Sequence, residues 1–210
     1  MNEIAAKGNK TKMSAHELTS LGLLTGILLL MSFTPLGYFR TLGLSISLMM
    51  IPVGIGAMLI GPKAGLWLGF VFGATSFYQA MTGASPFSAM LMSINPFYTF
   101  LTCVPTRMAM GWLTGVLFLL FHKLDRKNTG SYFIGGFFAA FLNTLFFMSV
   151  LLICFWNTDY LQSFNAKFGG LNPFLFVLAF VGVNGALEMT SSCIVGGIVS
   201  KAVNQALQKK

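Results

Sequence analysis

No Asp, Glu, Lys or Arg occurs between Ala64 and Thr106. A helix needs about 20 apolar residues to cross a bilayer's hydrocarbon core, so this one run holds two crossings and the turn between them. The turn falls at Thr82-Gly83-Ala84-Ser85-Pro86, where residues that break regular structure cluster. The other charge-free stretches are Leu18–Phe39, Thr41–Pro62, Met108–His122, Asn128–Thr158, Phe168–Leu187 and Met189–Ser200. Only 9% of the chain is charged and 55% is apolar, against about 25% charged in an ordinary soluble domain. A water-soluble globule cannot be covered by so few charges. Disorder is excluded by the same figures, since low hydrophobicity is its signature.

Arg107 and Glu188 are single charges inside otherwise apolar runs. Bridging them gives six spans: Leu18–Leu36, Leu44–Ile60, Ala64–Ala80, Pro96–Phe121, Tyr132–Trp156 and Pro173–Ser200. The first is opened by a capping box, Ser14-Ala-His-Glu17. A cleaved signal peptide is the rival reading of that segment, but no small-x-small cleavage site follows it and the run is long. The expected fold is an all-α integral membrane protein of six transmembrane helices. It divides into an N-terminal tail (1–17), one six-helix membrane domain (18–200) and a C-terminal tail (201–210).

The basic residues orient it. Lys7, Lys10, Lys12, Lys63, Lys123, Arg126, Lys127, Lys201, Lys209 and Lys210 fall on one side, and Arg40 and Lys167 on the other. Cytoplasmic loops carry the Lys and Arg excess, which places both termini in the cytoplasm, as an even span number also requires. The net charge of +8 is therefore an orientation signal and not a nucleic-acid surface. The connections on the opposite side, Gly37–Gly43, Met81–Asn95 and Asn157–Asn172, are the long ones, so a small-molecule site is expected to open outward.

Cys103, Cys154 and Cys193 have neither metal-ligand spacing nor an even count, and read as small packing residues. Glycines recur every four residues at Gly61, Gly65, Gly69 and Gly73, and again at Gly111 and Gly115. Such ridges let helices approach closely in lipid. Gly22 and Gly26 make the same pattern near the cytoplasmic end of the first span, where it could serve internal packing or dock another membrane protein.

Arg107, Asn143 and Asn184 share a level near the midplane, with Arg107 about 16 Å deep at 1.5 Å per residue. Glu188 lies one turn beyond Asn184 on the same face. A charge at mid-bilayer costs about 2.5–3.5 kcal/mol on insertion scales, so it needs a reason. One reason is a structural Arg107–Glu188 ion pair with the asparagines as interhelical glue. The other is the floor of a polar pocket. Asn95-Pro96-Phe97 and Asn172-Pro173-Phe174 each combine a good N-cap with a first-turn proline, so two positive helix ends face outward. With Arg107 they would favour an entering anion. Tyr38, Phe39, Tyr98, Trp156 and Tyr160 fall at the outer interface, mostly as belt residues. Asn95, Asn143, Asn184 and Gln79 could serve a neutral ligand.

No P-loop, zinc-protease motif, facing nucleophile–histidine pair or row of acidic groups is present in the sequence. An intramembrane enzyme and an autonomous ATPase are therefore poorly supported. Uphill transport would draw its energy from a partner.

From about Leu21 to Ala202 the chain resembles the substrate-binding S components of energy-coupling factor (ECF) vitamin importers. The stretches that carry the likeness are Phe33-Thr-Pro-Leu-Gly-Tyr38, Ile51-Pro-Val-Gly-Ile-Gly-Ala57 with Gly61-Pro-Lys-Ala-Gly65, Leu68-Gly-Phe-Val-Phe-Gly-Ala-Thr-Ser76, Val104-Pro-Thr-Arg107 with Met110-Gly-Trp-Leu-Thr-Gly115, and Val181-Gly-Val-Asn-Gly185 followed by Glu188. The resemblance implies a multi-pass protein of a bacterial plasma membrane that captures a small vitamin from outside. Its partners would be one membrane coupling subunit and two ATPases. The chain itself would carry no cofactor, ATP being used by the partners. Gly22 and Gly26 match by position the family's coupling-subunit contact, with Gly where Ala is usual. Release inside would follow toppling of the whole component in the bilayer. The pantothenate-type subgroup is the most similar, and a carboxylate vitamin fits Arg107. Cobalamin, riboflavin and pyridine- or pyrimidine-type vitamins stay open, as does a stand-alone transporter. The ligand-binding candidates are Arg107, Asn143, Asn184, Glu188, Asn95, Gln79, Tyr98 and Tyr38.

Overall fold

The computed structural model describes residues 13–34, 37–40, 45–125 and 129–208. Lys7, Lys10, Lys12, Leu36, Leu44, Arg126, Lys127, Lys209 and Lys210, and the side chains of Tyr38 and Asn184, lie outside the described residues.

Helix α1 (Ala15–Phe33) starts at the expected capping box. Ser14 Oγ accepts the Glu17 N–H at 3.2 Å and the Glu17 carboxylate accepts the Ser14 N–H at 2.9 Å. It ends three residues short of Leu36, because Pro35 forces the preceding Thr34 out of helical geometry, to φ −120° and ψ 158°. The chain then forms a short antiparallel hairpin, β1 (Tyr38–Arg40) and β2 (Ser45–Ser47), which pairs Tyr38 with Ser47 and Arg40 with Ser45. This corrects the expected second span. Its first turns are strand, and only α2 (Met50–Leu59) is helical. Apolar content alone does not separate a strand from a helix in so short a run. Every residue of α2 from Met50 to Met58 is buried, so α2 is the central core helix.

The remaining elements are α3 (Pro62–Thr82), α4 (Pro86–Ile94), α5 (Pro96–Leu124), α6 (Gly130–Phe155), α7 (Asp159–Lys167), α8 (Pro173–Ser191), a π turn (Ser192–Gly196) and α9 (Gly197–Gln208). The two long connections after α3 and α6 thus hold short helices of their own, α4 and α7. Among the described residues, four helical stretches are long and apolar enough to cross a membrane: α1, α5, α6 and Gly185–Ala206. Met50–Leu59 and Pro173–Gly182 are shorter apolar helices. At 21 residues α3 is long enough, but Lys63, Gln79 and its small residues dilute its hydropathy.

The single last span expected over Pro173–Ser200 is broken. Gly182 leaves helical geometry at φ 37° and ψ −129°, a backbone region that only glycine enters without penalty. Nearly three turns later the ladder widens into the π turn, whose Ser192 Oγ donates to the Gly136 carbonyl of α6 at 2.8 Å.

Helices α3 and α5 form the most extensive pair, and glycine permits it. Gly65 sits against the Gly111 carbonyl, Gly69 against the Arg107 carbonyl and Gly73 against the Val104 backbone, while Gly115 lies on Pro62. Gly61 is not part of that ridge. It caps α3 at φ 125° and has nothing within 4 Å of where a Cβ would stand. One apolar cluster centres on Met49, Met50, Val53, Leu68, Phe72 and Met110. A second gathers Leu91 of α4, Leu161 of α7 and Phe155, Phe176 and Phe180, joining the two short helices to α6 and α8.

Candidate binding site

Arg107 stands in the middle of α5, two residues beyond Pro105. It is 8% exposed. Its Nη1 donates back to its own helix, to the Thr102 carbonyl at 3.2 Å and the Cys103 carbonyl at 2.9 Å. Pro105 supplies no N–H, so the carbonyl it leaves without a helical donor is that of Leu101; Arg107 uses the next two carbonyls along, and the Thr102 carbonyl also accepts the Thr106 hydroxyl. The guanidinium carbon also lies 4.6 Å from the Phe72 ring centroid of α3 and 5.1 Å from that of Phe147 on α6. Each desolvated cation–π contact is worth ~2 kcal/mol and each bond to a charged group ~1.5–3 kcal/mol. Together these offset part of the cost of burying the charge. One group is left over: Arg107 Nε is buried and has no partner.

Asn143 lies on α6 one turn before Phe147, hence on the face that meets Arg107. Its Oδ1 is likewise buried and unpartnered. A spare donor thus stands on α5 and a spare acceptor on α6, the latter one helical turn from Phe147 in sequence. In a folded interior each such unmatched group costs ~1–3 kcal/mol, which is recovered when a ligand supplies the missing bonds.

The Arg107–Glu188 ion pair held open above is not formed. The Glu188 carboxylate instead accepts the Ser47 backbone N–H at 2.7 Å, while Arg107 is held by its own helix and two phenyl rings. Gln79 is also engaged: its Nε2 donates to the Ser32 carbonyl of α1 at 2.6 Å. Asn95 caps α5, its Oδ1 accepting the Tyr98 N–H at 3.1 Å. Asn172 caps α8 through the Leu175 N–H at 2.9 Å. Both caps therefore form as their Asn-Pro-Phe motifs predict. Tyr98 is exposed and packs edge-on against Phe155, centroids 6.1 Å apart. For Tyr38 the structure describes only its place in β1, and for Asn184 only its place in α8. Gly22 and Gly26 are exposed, with nothing within 4 Å of an added Cβ.

The structure thus leaves Arg107 and Asn143 each with one unmatched buried atom, and ties Gln79 to Ser32 of α1 and Glu188 to Ser47 of β2. Sequence reasoning missed Phe72, Phe147 and Ser47. With 22 phenylalanines in the chain, nothing marks two of them. The Arg107–Phe147 stacking is a contact between α5 and α6 that no local spacing encodes.

A helical bundle with several membrane-length apolar helices is the architecture of a multi-pass membrane protein. The family model of the ECF transporter substrate-specific component matches residues 16–200, and the chain belongs to that family. It is thus the substrate-specific subunit of an ECF importer, in a family that binds a small molecule and works with an ECF module rather than as an enzyme. No curated protein matches the chain closely enough to count as a relative.

Proposed function

We propose that this subunit captures a carboxylate-bearing vitamin, pantothenate in the first place, from outside a bacterial plasma membrane. Arg107 receives the carboxylate and the Asn143 amide oxygen accepts from a hydroxyl or amide N–H of the same molecule. The observation that carries this reading is the pair of unmatched buried atoms, Arg107 Nε on α5 and Asn143 Oδ1 on α6, the second one helical turn from the Phe147 whose ring meets the guanidinium. A carboxylate supplies what the first lacks, and a donor what the second lacks. The chain crosses the bilayer six times with both termini in the cytoplasm, the membrane domain spanning 18–200 between tails 1–17 and 201–210. The positive-inside bias of its lysines and arginines supports that orientation. Transport uses ATP consumed by two partner ATPases, with the coupling subunit docking on Gly22 and Gly26. What supports the docking is that both glycines lie open on α1 while the other glycine ridge is consumed by internal packing. No cofactor is assigned to the chain itself.

The reading is tested by mass spectrometry of the small molecule that co-purifies with the chain from cells. Pantothenate, or another carboxylate vitamin, supports it. A neutral vitamin would move recognition to the asparagines and leave Arg107 a structural part.

A further inference from the structure

Two departures from helical geometry flank Glu188. Gly182 breaks α8 on one side, and the π turn of Ser192–Gly196 follows on the other. Such defects in a helix have identifiable causes and recur at functional sites. The segment between them carries one carboxylate, and that carboxylate holds backbone from another part of the chain. Glu188 Oε1 accepts the Ser47 N–H at 2.7 Å. Ser47 Oγ in turn accepts the Met49 N–H at 3.4 Å. Met49 is fully buried in the cluster that contains Phe72, and Phe72 is one of the two rings against the Arg107 guanidinium.

An isolated two-stranded hairpin is at best marginally stable, so β1 and β2 depend on what holds their ends. At the entry, Gln79 Nε2 grips the Ser32 carbonyl at 2.6 Å and Gly37 is pressed against the Met31 carbonyl. At the exit, among the described residues, a side-chain hold comes from Glu188.

We propose that Glu188 is a positioning residue: it fixes the β1–β2 hairpin to α8 and, through Ser47, Met49 and Phe72, sets the place of Arg107 without touching the vitamin. The consequence for Arg107 rests on the proposed role of that residue in binding; the hold on the hairpin does not. Glu188→Gln keeps an acceptor oxygen in the same place, whereas Glu188→Ala removes it. Ser47→Pro removes the donor from the other side.

The test uses the full chain in lipid nanodiscs. Hydrogen exchange of the hairpin amides is read first, without any vitamin. Glu188→Ala is expected to speed it by about tenfold, the scale of losing one buried hydrogen bond, and Glu188→Gln to restore most of the protection. Unchanged exchange in Glu188→Ala overturns the proposal. Release of radiolabelled pantothenate is read second. Glu188→Ala and Ser47→Pro are expected to speed release by similar factors, and the double variant by no more than either. Faster release in Glu188→Ala alone, with Ser47→Pro at the wild-type rate, would assign Glu188 to the ligand and overturn the proposal. If the wild-type chain does not bind pantothenate, the choice of pantothenate fails, and hairpin exchange alone decides the role of Glu188.

Discussion

Gly69 of α3 lies directly against the backbone carbonyl of Arg107 on α5. A side chain at Gly69 has nowhere to go, because the neighbour is backbone and cannot rotate away. The residue that carries the buried charge is therefore located by a helix contact only glycine permits. Gly69→Ala is expected to push α3 and α5 apart and destabilise the protein by about 1–3 kcal/mol, the usual cost of overpacking. Thermal unfolding in detergent checks this, with Gly22→Ala as the control. Gly22 has open space around it, and its substitution should leave the melting temperature unchanged or raise it slightly through the better helix propensity of Ala.

The same open space makes a second, opposite prediction for α1. Gly22→Leu combined with Gly26→Leu should spare folding and vitamin binding but block uptake when the coupling subunit and ATPases are present. Uptake in cells, measured beside binding to the purified chain, separates the two. Normal uptake would remove this face of α1 as the docking surface.

Asn143 offers a trade between stability and function. Its buried Oδ1 has no partner, so Asn143→Leu removes an unmet acceptor. Stability should hold or rise, by at most about 1–3 kcal/mol. Vitamin affinity should fall about tenfold or more for the loss of one buried hydrogen bond. A variant that binds normally would assign the asparagine to packing.

Phe147 can be tested without touching a charge. Phe147→Leu keeps an apolar side chain of moderate size but removes the ring face 5.1 Å from the guanidinium. A loss of ~0.5–2 kcal/mol in stability is expected from the cation–π contact. Calorimetry of the ligand-free protein reads it.

Much of the helical layout was legible because it rests on local rules. The Ser14–Glu17 box, the Asn95 and Asn172 caps and the apolar lengths of α5 and α6 are written in neighbouring residues. The hairpin was not, because Ser45–Ser47 sits in a stretch as apolar as a helix and becomes strand only by pairing with Tyr38–Arg40. The break at Gly182 was hidden for a related reason: an isolated glycine in an apolar run fits an intact helix as well as a kink. At the site, the sequence singled out Arg107 and Glu188 because charge in lipid is costly. It left open whether they pair, since a partner's identity depends on what lies alongside in space. Ser47 is 141 residues from Glu188, and only its backbone is used, so no side-chain pattern points to it.

The central claim is that Arg107 meets the carboxylate of a vitamin. It is tested most directly by mass spectrometry of the small molecule carried by the purified chain, comparing wild type with Arg107→Ala at equal protein recovery. The predicted result is a carboxylate vitamin, pantothenate first, on the wild type and its loss from a folded Arg107→Ala. The same molecule retained at equal occupancy by Arg107→Ala would contradict it.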